Sequence, residues 1–482
     1  MFFRRFYDDG LAQASYLIGC DATREAIVVD PNRDTAQYVD AAAAEHLRIV
    51  RVTETHIHAD FVSGSRELAA RTGATLMLSG EGGDDWQYAF AAADGAVTLR
   101  DGDSFDIGQV RFDVMHTPGH TPEHLAFLVT DRAASDRPVG LISGDAVFVG
   151  DVGRPDLLER AAGVADSMDA AARALFRTLQ RVRELPGFVQ LWPGHGAGSA
   201  CGKALGALPQ STIGYECVAN WGLIARDEDA FVHEVLDGQP EPPPYFAVMK
   251  RINRDGPTLL NEWPRPAKLE PGALASALRA APVAGAGAGA GRMVVDVRTT
   301  AEFAEAHVGG AVNVPVGRSL ATWCGWLIPY DCDVQLIASR EDDAVRAAGT
   351  LAKIGLDRVT GWIDAGAIAA SSGSVALESV RQATPAELAP LIASGAVALI
   401  DVRNAQEWAH GHIPGALHIP VGQLALRLGE IPRGQPVAVQ CQGGTRSAIA
   451  ASVLLSRGIP GVINLRGGYD EWARAGLPLA HD

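Results

Sequence analysis

The stretch that decides the fold is THIHADF, residues 55–61, which holds three potential metal ligands. His56, His58 and Asp60 alternate with apolar residues, so they share one face of an extended segment and can converge on a point where a strand ends. Imidazole and carboxylate groups are ligands that transition metals accept. The stretch therefore predicts a metal site at a strand end.

Three later turns place further polar groups after segments that resemble strands. His120 closes the turn TPGH, Asp145 closes SGD, and His195 follows Pro-Gly. Layered α/β folds build their sites at strand ends, on the loops that follow. A single histidine of this kind is more often structural than a ligand. The ordered series of such groups favours one shared site.

The composition limits the classes of function. A chain of 482 residues predicts about three domains. The net charge of −16 argues against nucleic acid and anionic membranes as partners. No apolar run approaches the roughly 18 residues of a membrane span. Six cysteines without a CxxC pair are typical of free thiols in a reducing compartment. We expect a cytoplasmic homo-oligomer.

The C-terminal half contains a repeat. Val295–Arg298 (VDVR) recurs as Ile400–Arg403 (IDVR), and His307–Ala311 (HVGGA) recurs as His412–Ala416 (HIPGA), both at an offset of 105. Matches at separated places indicate duplicated domains, each a strand–loop–helix–strand unit with a parallel sheet. The predicted domains are 1–255, 268–372 and 380–482.

A cysteine loop distinguishes the second repeat. Residues 440–447 read QCQGGTRS, between a predicted strand and a predicted helix. A cysteine on a glycine-rich turn that enters a helix faces backbone N–H groups and the positive end of the helix dipole, which stabilise a thiolate or a bound anion. The predicted catalytic residues are Cys441 and Arg446. The predicted substrate contacts of this loop are Gln442, Gly443, Gly444, Thr445 and Ser447.

The first repeat lacks this chemistry. When Gly355 is aligned with Gly458, Ala338 stands opposite Cys441. The corresponding loop, residues 338–343, reads ASREDD and has no thiol, no glycine and three carboxylates. We expect this repeat to be catalytically silent.

The order of the strand-end ligands resembles the metallo-β-lactamase family, whose αββα sandwich we therefore expect for the N-terminal half. The family pattern is His-x-His-x-Asp-His, and Phe61 replaces its closing histidine. A second metal is therefore less expected. The run from Asp145 to Asp156 is similar to the persulfide dioxygenase branch of that family.

The resemblance to that branch implies one Fe(II) per chain, held by His56, His120 and Asp145. His58, Asp60 and His195 would support these ligands. Two neutral imidazoles and a carboxylate also form the facial triad of non-haem iron oxygenases. The same ligands with a water would make a zinc hydrolase, and this alternative stays open.

Two further residues carry open alternatives. Arg154 stands where the branch has an arginine near the substrate, so it is a candidate for binding a substrate carboxylate, or it forms a salt bridge to Asp151 or Asp156. Cys201 lies six residues after His195, with Lys203 close by. It is either a relay thiol for sulfur or a buried cysteine.

The six-residue loop Cys441–Arg446 resembles the active loop of rhodaneses. The whole chain is similar to fusions of a persulfide dioxygenase with two rhodanese-like parallel α/β domains. The resemblance implies that low-molecular-weight persulfides, of glutathione or another thiol, are oxidised with O2 to sulfite and thiol. Cys441 would transfer sulfane sulfur to sulfite to make thiosulfate, or run in reverse. The alternatives are a zinc-dependent glutathione-thioester hydrolase with an attached sulfurtransferase, and a persulfide sensor without turnover.

Overall fold

The computed structural model describes residues 1–157, 167–203, 205–239, 241–274, 291–370 and 376–481. The chain forms two compact units. Unit 1 comprises Met1–Trp263 with Ala352–Gly355, and unit 2 comprises Pro264–Leu351 with Leu356–Asp482. The three predicted domains stay a prediction, and the boundary at 372 lies outside the described residues. Among the described helices, none has the length and apolar character needed to span a membrane.

The first sheet of unit 1 has six strands in chain order. The pairings up to β3 are antiparallel and the later ones parallel. Its strands are β1 (Phe2–Asp8), β2 (Gln13–Cys20), β3 (Glu25–Val29), β4 (Arg48–Thr53), β5 (Thr75–Ser79) and β6 (Val97–Leu99). Its helices are α1 (Ala36–Ala44) and α2 (Ser65–Thr72), with a 3-10 turn at Asp84–Trp86.

The second sheet of unit 1 has the order β12-β11-β10-β9-β8-β7. Its strands are β7 (Ser104–Ile107), β8 (Val110–His116), β9 (Leu125–Asp131), β10 (Gly140–Gly144), β11 (Gln190–Pro193) and β12 (Ser211–Thr212). The remaining helices of unit 1 are α3 (Met168–Arg183), α4 (Ile213–Ala219), α5 (Trp221–Ile224), α6 (Glu228–Leu236) and α7 (Tyr245–Asp255).

Three apolar clusters hold the layers of unit 1 together. The central one joins the two sheets and includes Tyr16 of β2 and Phe127 of β9. The outer ones pack a helix layer on each sheet, with Leu68 of α2 on one side and Leu175 of α3 on the other. Each layer buries an apolar face that neither sheet nor helix could leave in water. The expected αββα sandwich is confirmed.

The predicted metal-site segments all begin where strands of unit 1 end. The relevant strands are β4, β8, β10 and β11, which end at Thr53, His116, Gly144 and Pro193. The THIHADF stretch and the turns with His120, Asp145 and His195 follow them within a few residues. The two sheets therefore bring these segments to one edge of the sandwich.

Unit 2 contains two parallel sheets, one for each repeat, with the orders β15-β13-β16-β17 and β19-β23-β22-β20-β21. The first repeat comprises β13 (Arg292–Asp296), α8 (Thr300–Glu305), β14 (His307–Val308), β15 (Val312–Asn313), α9 (Leu320–Leu327), β16 (Asp333–Ala338), α10 (Glu341–Lys353), β17 (Val359–Asp364), α11 (Ala365–Ala370) and β18 (Leu377–Glu378). The second comprises β19 (Arg381–Ala383), α12 (Pro385–Ala393), β20 (Ala398–Asp401), α13 (Ala405–Ala409), β21 (Leu417–His418), β22 (Val437–Gln440), α14 (Thr445–Ser456), β23 (Val462–Leu465) and α15 (Gly468–Arg474), with 3-10 turns at Val421–Gln423 and Leu428–Glu430.

Glu302 and Glu407, which are also 105 residues apart, have the same local structural role. Glu302 closes a capping box with Thr299 at the start of α8, and Glu407 does the same with Asn404 at the start of α13. Each box satisfies backbone N–H groups that the first helical turn leaves without a partner. The offset of 105 in sequence thus corresponds to the same element in both repeats.

Candidate metal centre and cysteine loop

His56, His120 and Asp145 meet in the interior of unit 1. One ligand atom from each lies within 4.8 Å of the others, and all three residues are buried. Asp145 Oδ2 lies 3.9 Å from His56 Nε2 and 3.5 Å from His120 Nε2. The loops after three different strands therefore bring the three predicted ligands together.

Hydrogen bonds fix which imidazole nitrogens face Asp145. His120 Nδ1 donates to the Arg154 carbonyl at 3.1 Å, and His195 Nδ1 donates to the Ala12 carbonyl at 2.9 Å. His56 Nδ1 donates at 2.9 Å to the Thr55 hydroxyl, whose own proton goes to a carboxylate. A neutral imidazole that donates from Nδ1 presents an Nε2 lone pair. His56 and His120 thus turn Nε2 lone pairs toward Asp145, and the Nε2 of His195 faces the same carboxylate.

The histidines and Asp145 fit a metal ion. Burial, followed by the neighbouring histidines, lowers the pKa of His56 well below its ordinary value, and burial also lowers that of His120. The Asp145 oxygens are fully buried and receive no well-formed hydrogen bond within the described chain. A buried carboxylate among lone pairs is costly without a cation. Two neutral imidazoles and one carboxylate would hold such a cation.

A second group lies beside the first and contains Asp60, His195 and Cys201. His195 Nε2 lies 3.1 Å from Asp60 Oδ2 and 3.4 Å from Asp145 Oδ2. Burial alone would lower the pKa of His195, but the two carboxylates outweigh it and raise that pKa. His195 therefore joins the two groups, and Asp60 is within reach of its proton.

Cys201 is buried at the same site. Burial, Asp60 and Asp145 raise the pKa of its thiol well above the ordinary value. Lys203, which the sequence suggested as an activating cation, instead donates to the Glu234 carbonyl. Without a bound cation the thiol is protonated, and a thiol is a weaker nucleophile than a thiolate.

His58 contacts Asp30, a buried residue that was not predicted from the sequence to belong to the site. Its Nε2 lies 3.2 Å from Asp30 Oδ1, and Asp30 also accepts from the Thr55 backbone at 2.6 Å and the Thr55 hydroxyl at 3.0 Å. Burial alone would lower the pKa of His58, but Asp30 and then Glu54 raise it to about 9. Asp30 follows the apolar strand β3 directly, and this is the signal that could have identified it.

Glu123 is another buried carboxyl group near the metal ligands. Its Oε1 accepts from the Ile57 backbone N–H at 2.7 Å, so it fixes the middle of the THIHADF stretch. Burial raises the pKa of Glu123 to about 7. The chain thus holds the ligand stretch from both sides, by Asp30 and by Glu123.

Arg154 forms a buried ion pair. Its Nε and Nη2 donate to Asp156 Oδ1 and Oδ2 at 2.8 and 2.7 Å, and both side chains are fully buried. Its Nη1 donates to the Ala200 carbonyl at 3.2 Å. This arrangement is the salt-bridge alternative. Substrate binding by Arg154 would require this pair to break.

Cys441 lies on the turn between β22 and α14, as the sequence predicted, and its side chain is buried. The Gly444 N–H donates to its Sγ at 3.1 Å, and the Ser447 hydroxyl lies 3.6 Å away. Gly444 has a φ of 105°, which favours glycine and turns its N–H toward the sulfur. Gly443 and Thr445 are exposed on the same turn. The loop therefore directs a backbone N–H at the sulfur and places a hydroxyl beside it.

Both arginines near the loop are paired with carboxylates. Arg446 donates to Glu407 Oε2 and Oε1 at 2.6 and 2.5 Å. Arg403 Nε lies 3.0 Å from Asp401 Oδ1, its Nη2 lies 2.7 Å from Oδ2, and its Nη1 donates to Gln442 Oε1 at 3.2 Å. The predicted catalytic residue Arg446 thus already has a carboxylate as its partner.

The comparisons with known proteins agree with this geometry. Residues 8–195 match the Metallo-beta-lactamase superfamily, and residues 384–475 match the Rhodanese-like domain. The solved structure of a metallo-beta-lactamase from Staphylococcus aureus subsp. aureus COL is 38% identical with a TM-score of 0.65, and the alignment covers 75% of this chain and 98% of that one. The chain belongs to the metallo-beta-lactamase superfamily.

Two curated relatives match two different parts of this superfamily member. The persulfide dioxygenase ETHE1 of Homo sapiens is 28% identical over 196 residues, 40% of this chain and 67% of the human protein. A sulfurtransferase of Allochromatium vinosum is 43% identical over 83 residues, 17% of this chain and 78% of that protein. The chain spans between 53% and 70% of the length of its hydrolase-like relatives. The expected fusion of a metallo-beta-lactamase domain with a C-terminal rhodanese-like domain is confirmed.

Phe61 stands where the metallo-beta-lactamase pattern closes with a histidine. Its side chain is fully buried, and its ring centroid lies 4.3 Å from that of His58. An aromatic ring at this place packs against the ligand stretch and offers no ligand atom. Asp60, the residue before Phe61, has His195 and Cys201 as its neighbours with potential ligand atoms.

The first repeat has the same Asp–Arg pair as the second repeat but no cysteine in its loop. Asp296 and Arg298 pair in it as Asp401 and Arg403 pair in the second repeat. In its loop, Ser339 contacts Glu302 at 3.2 Å and Arg340 pairs with Asp343. The Asp–Arg pair is therefore structural, since Asp296 and Arg298 form it in a repeat that has no thiol in its loop.

Proposed function

We propose that unit 1 oxidises low-molecular-weight persulfides with O2 to sulfite and thiol, and that Cys441 transfers sulfane sulfur to make thiosulfate or runs in reverse. The observation that carries the proposal is the buried group of His56, His120 and Asp145, whose ligand atoms converge within 4.8 Å of one another. The likeness to a persulfide dioxygenase over unit 1 supports the same assignment.

His56, His120 and Asp145 would hold one Fe(II), which supplies one-electron chemistry toward O2 and sulfur. The chain's own residues prepare the site. Hydrogen bonds from Nδ1 keep the ligand imidazoles in the tautomer that exposes Nε2. Asp60 and His195, 3.1 Å apart, are placed to hold and release a proton near the substrate sulfur.

At the second site, we propose that the Cys441 thiolate attacks the outer sulfur of a donor and keeps it as a persulfide. The Gly444 N–H at 3.1 Å and the start of α14 stabilise the negative sulfur. The substrates would be persulfides of glutathione or another small thiol, with sulfite and thiosulfate. The cytoplasmic location and the homo-oligomeric state belong to the same proposal.

The deciding experiment joins metal analysis to oxygen uptake. The full chain is purified without chelator, its Fe and Zn contents are measured, and glutathione persulfide is added in an oxygen electrode. We expect about one Fe per chain, rapid uptake of O2 and formation of sulfite. Cys441→Ser should keep the uptake and lose thiosulfate formation. Zn with thioester hydrolysis and no uptake would establish the hydrolase alternative. Binding of persulfide at Cys441 without turnover would indicate a sensor.

A further inference from the structure

A cavity of about 310 Å³ lies beside the Cys441 loop. Because a liquid water takes about 30 Å³, this is the volume of roughly ten waters and much more than a small inorganic anion fills. It falls at the lower end of the range for sites that bind small organic molecules. The walls offer amide groups, an aromatic ring and charges, from Asn404, Gln406, Gln442, Tyr469, Arg403 and Glu407.

The charges around this cavity are balanced. Glu407 accepts hydrogen bonds from both terminal nitrogens of Arg446. Asp401 accepts hydrogen bonds from Nε and Nη2 of Arg403. The hydrogen bonds to Glu407 raise the pKa of Arg446 against the opposing effect of burial. The Arg403 guanidinium also lies over the Tyr469 ring at 4.1 Å. Because both arginines are already paired with carboxylates, a doubly charged anion such as thiosulfate gains less attraction from them than from unpaired guanidinium groups.

The silent repeat shows which of these pairs is specific to the thiol. The Asp–Arg pair below the loop is present in both repeats and is therefore part of the framework. Glu302, the counterpart of Glu407, contacts Ser339 instead of an arginine. The pairing of Glu407 with Arg446 thus accompanies the reactive loop.

We propose that the cavity binds the carrier half of an organic persulfide with amide groups, and that the Glu407–Arg446 pair disfavours inorganic thiosulfate as the donor. This inference rests on the proposed role of Cys441 and adds the class of donor and the residues that select it. Gln442 forms part of the wall and follows Cys441 directly, so a carrier in the cavity lies next to the sulfur.

The transfer step is balanced without a further reactant. The Cys441 thiolate attacks the terminal sulfur of R–S–SH, and the bond between the two donor sulfurs breaks. Cys441 becomes Cys–S–SH, while the carrier leaves as the thiolate R–S⁻ with the electron pair of the broken bond. Neither an oxidant nor a reductant is consumed.

The test compares two donors on the full chain without O2, so that unit 1 does not consume the persulfide. Formation of the Cys441 persulfide is followed by mass spectrometry with glutathione persulfide and with thiosulfate. Gln406→Trp fills the cavity and should lower the ratio of the two kcat/KM values, persulfide over thiosulfate, by about tenfold or more. Ala405→Trp, on the same helix but outside the wall, should leave the ratio unchanged.

Glu407→Gln tests the charge balance. The amide can still accept at the start of α13, but Arg446 loses its counter-charge. The rate with thiosulfate should rise roughly tenfold, while the rate with glutathione persulfide changes less.

The outcomes separate this inference from the proposed function. Loading of Cys441 by both donors, with the same ratio in Gln406→Trp as in the wild type, would overturn the cavity assignment alone. Preference of the wild type for thiosulfate would do the same. Loading by neither donor would overturn sulfur transfer at Cys441, and the inference with it.

Discussion

Replacement of Arg154 by alanine should destabilise unit 1 strongly. Arg154 and Asp156 are fully buried and joined by two hydrogen bonds of 2.8 and 2.7 Å. Arg154→Ala removes this cation from beside the buried Asp156 carboxylate, and breaking a buried ion pair from one side costs about 3–5 kcal/mol. Since each 1.4 kcal/mol is a factor of ten, the unfolding equilibrium should shift by roughly two to four orders of magnitude.

Amide hydrogen exchange of peptides that cover β10 and β11 measures this loss, because it reports the opening of unit 1 apart from unit 2. The double variant Arg154→Met/Asp156→Leu removes both charges and should recover most of the stability. Asp106→Ala breaks the exposed pair with Arg132 and should cost no more than about 1 kcal/mol. An unchanged opening free energy in Arg154→Ala, together with a raised KM for persulfide, would refute this reasoning and assign Arg154 to substrate binding.

Three other expectations concern the metal centre. Asp145→Asn should retain less than about a tenth of the wild-type Fe after dialysis, because the site loses its charged ligand; equal Fe content would contradict the ligand assignment. Cys201→Ser should slow persulfide oxidation but not thiosulfate-driven loading of Cys441, and unchanged O2 uptake would reject a role for that thiol. Burial raises the pKa of Glu123 to about 7 from an ordinary 4.5, so the folded state holds a proton that the unfolded chain releases, and stability falls as the pH rises through this window. In the wild type the free energy of unfolding should be lower at about pH 8 than at about pH 5, and Glu123→Gln should reduce this difference by roughly 2–3 kcal/mol. Hydrogen exchange at the two pH values measures it.

Much of the fold was predictable because its signals are local. Strands β8 and β9 read as alternating or apolar runs, and the repeat was visible in short matching segments such as Val295–Arg298 and Ile400–Arg403. Ligands that follow strands are also local signals, since the strand fixes where the next residue goes. This explains why His120 and Asp145 could be identified from their turns.

The partners of these ligands could not be predicted, because they depend on contacts between distant segments. Asp30 reaches the ligand stretch from 25 residues away in sequence, at the end of β3. From the sequence, Arg154 could have faced solvent, a substrate or a neighbouring carboxylate. Only the structure shows that it is buried in a pair with Asp156. Lys203 is close to Cys201 in sequence, but its ammonium group binds the Glu234 carbonyl. Side-chain direction and burial are set by the whole fold.

The two repeats share structural features, although only the second has a cysteine in its loop. The Asp296–Arg298 pair and the capping glutamate Glu302 hold the first repeat without any help from a thiol. The loop is therefore an exchangeable part. A transplant of residues 441–446 into positions 338–343 would bring an arginine to Glu302, which occupies the place that Glu407 has in the second repeat. The helix caps and ion pairs of this framework are the same with two different loops, so its stability is separable from the chemistry of the loop it holds.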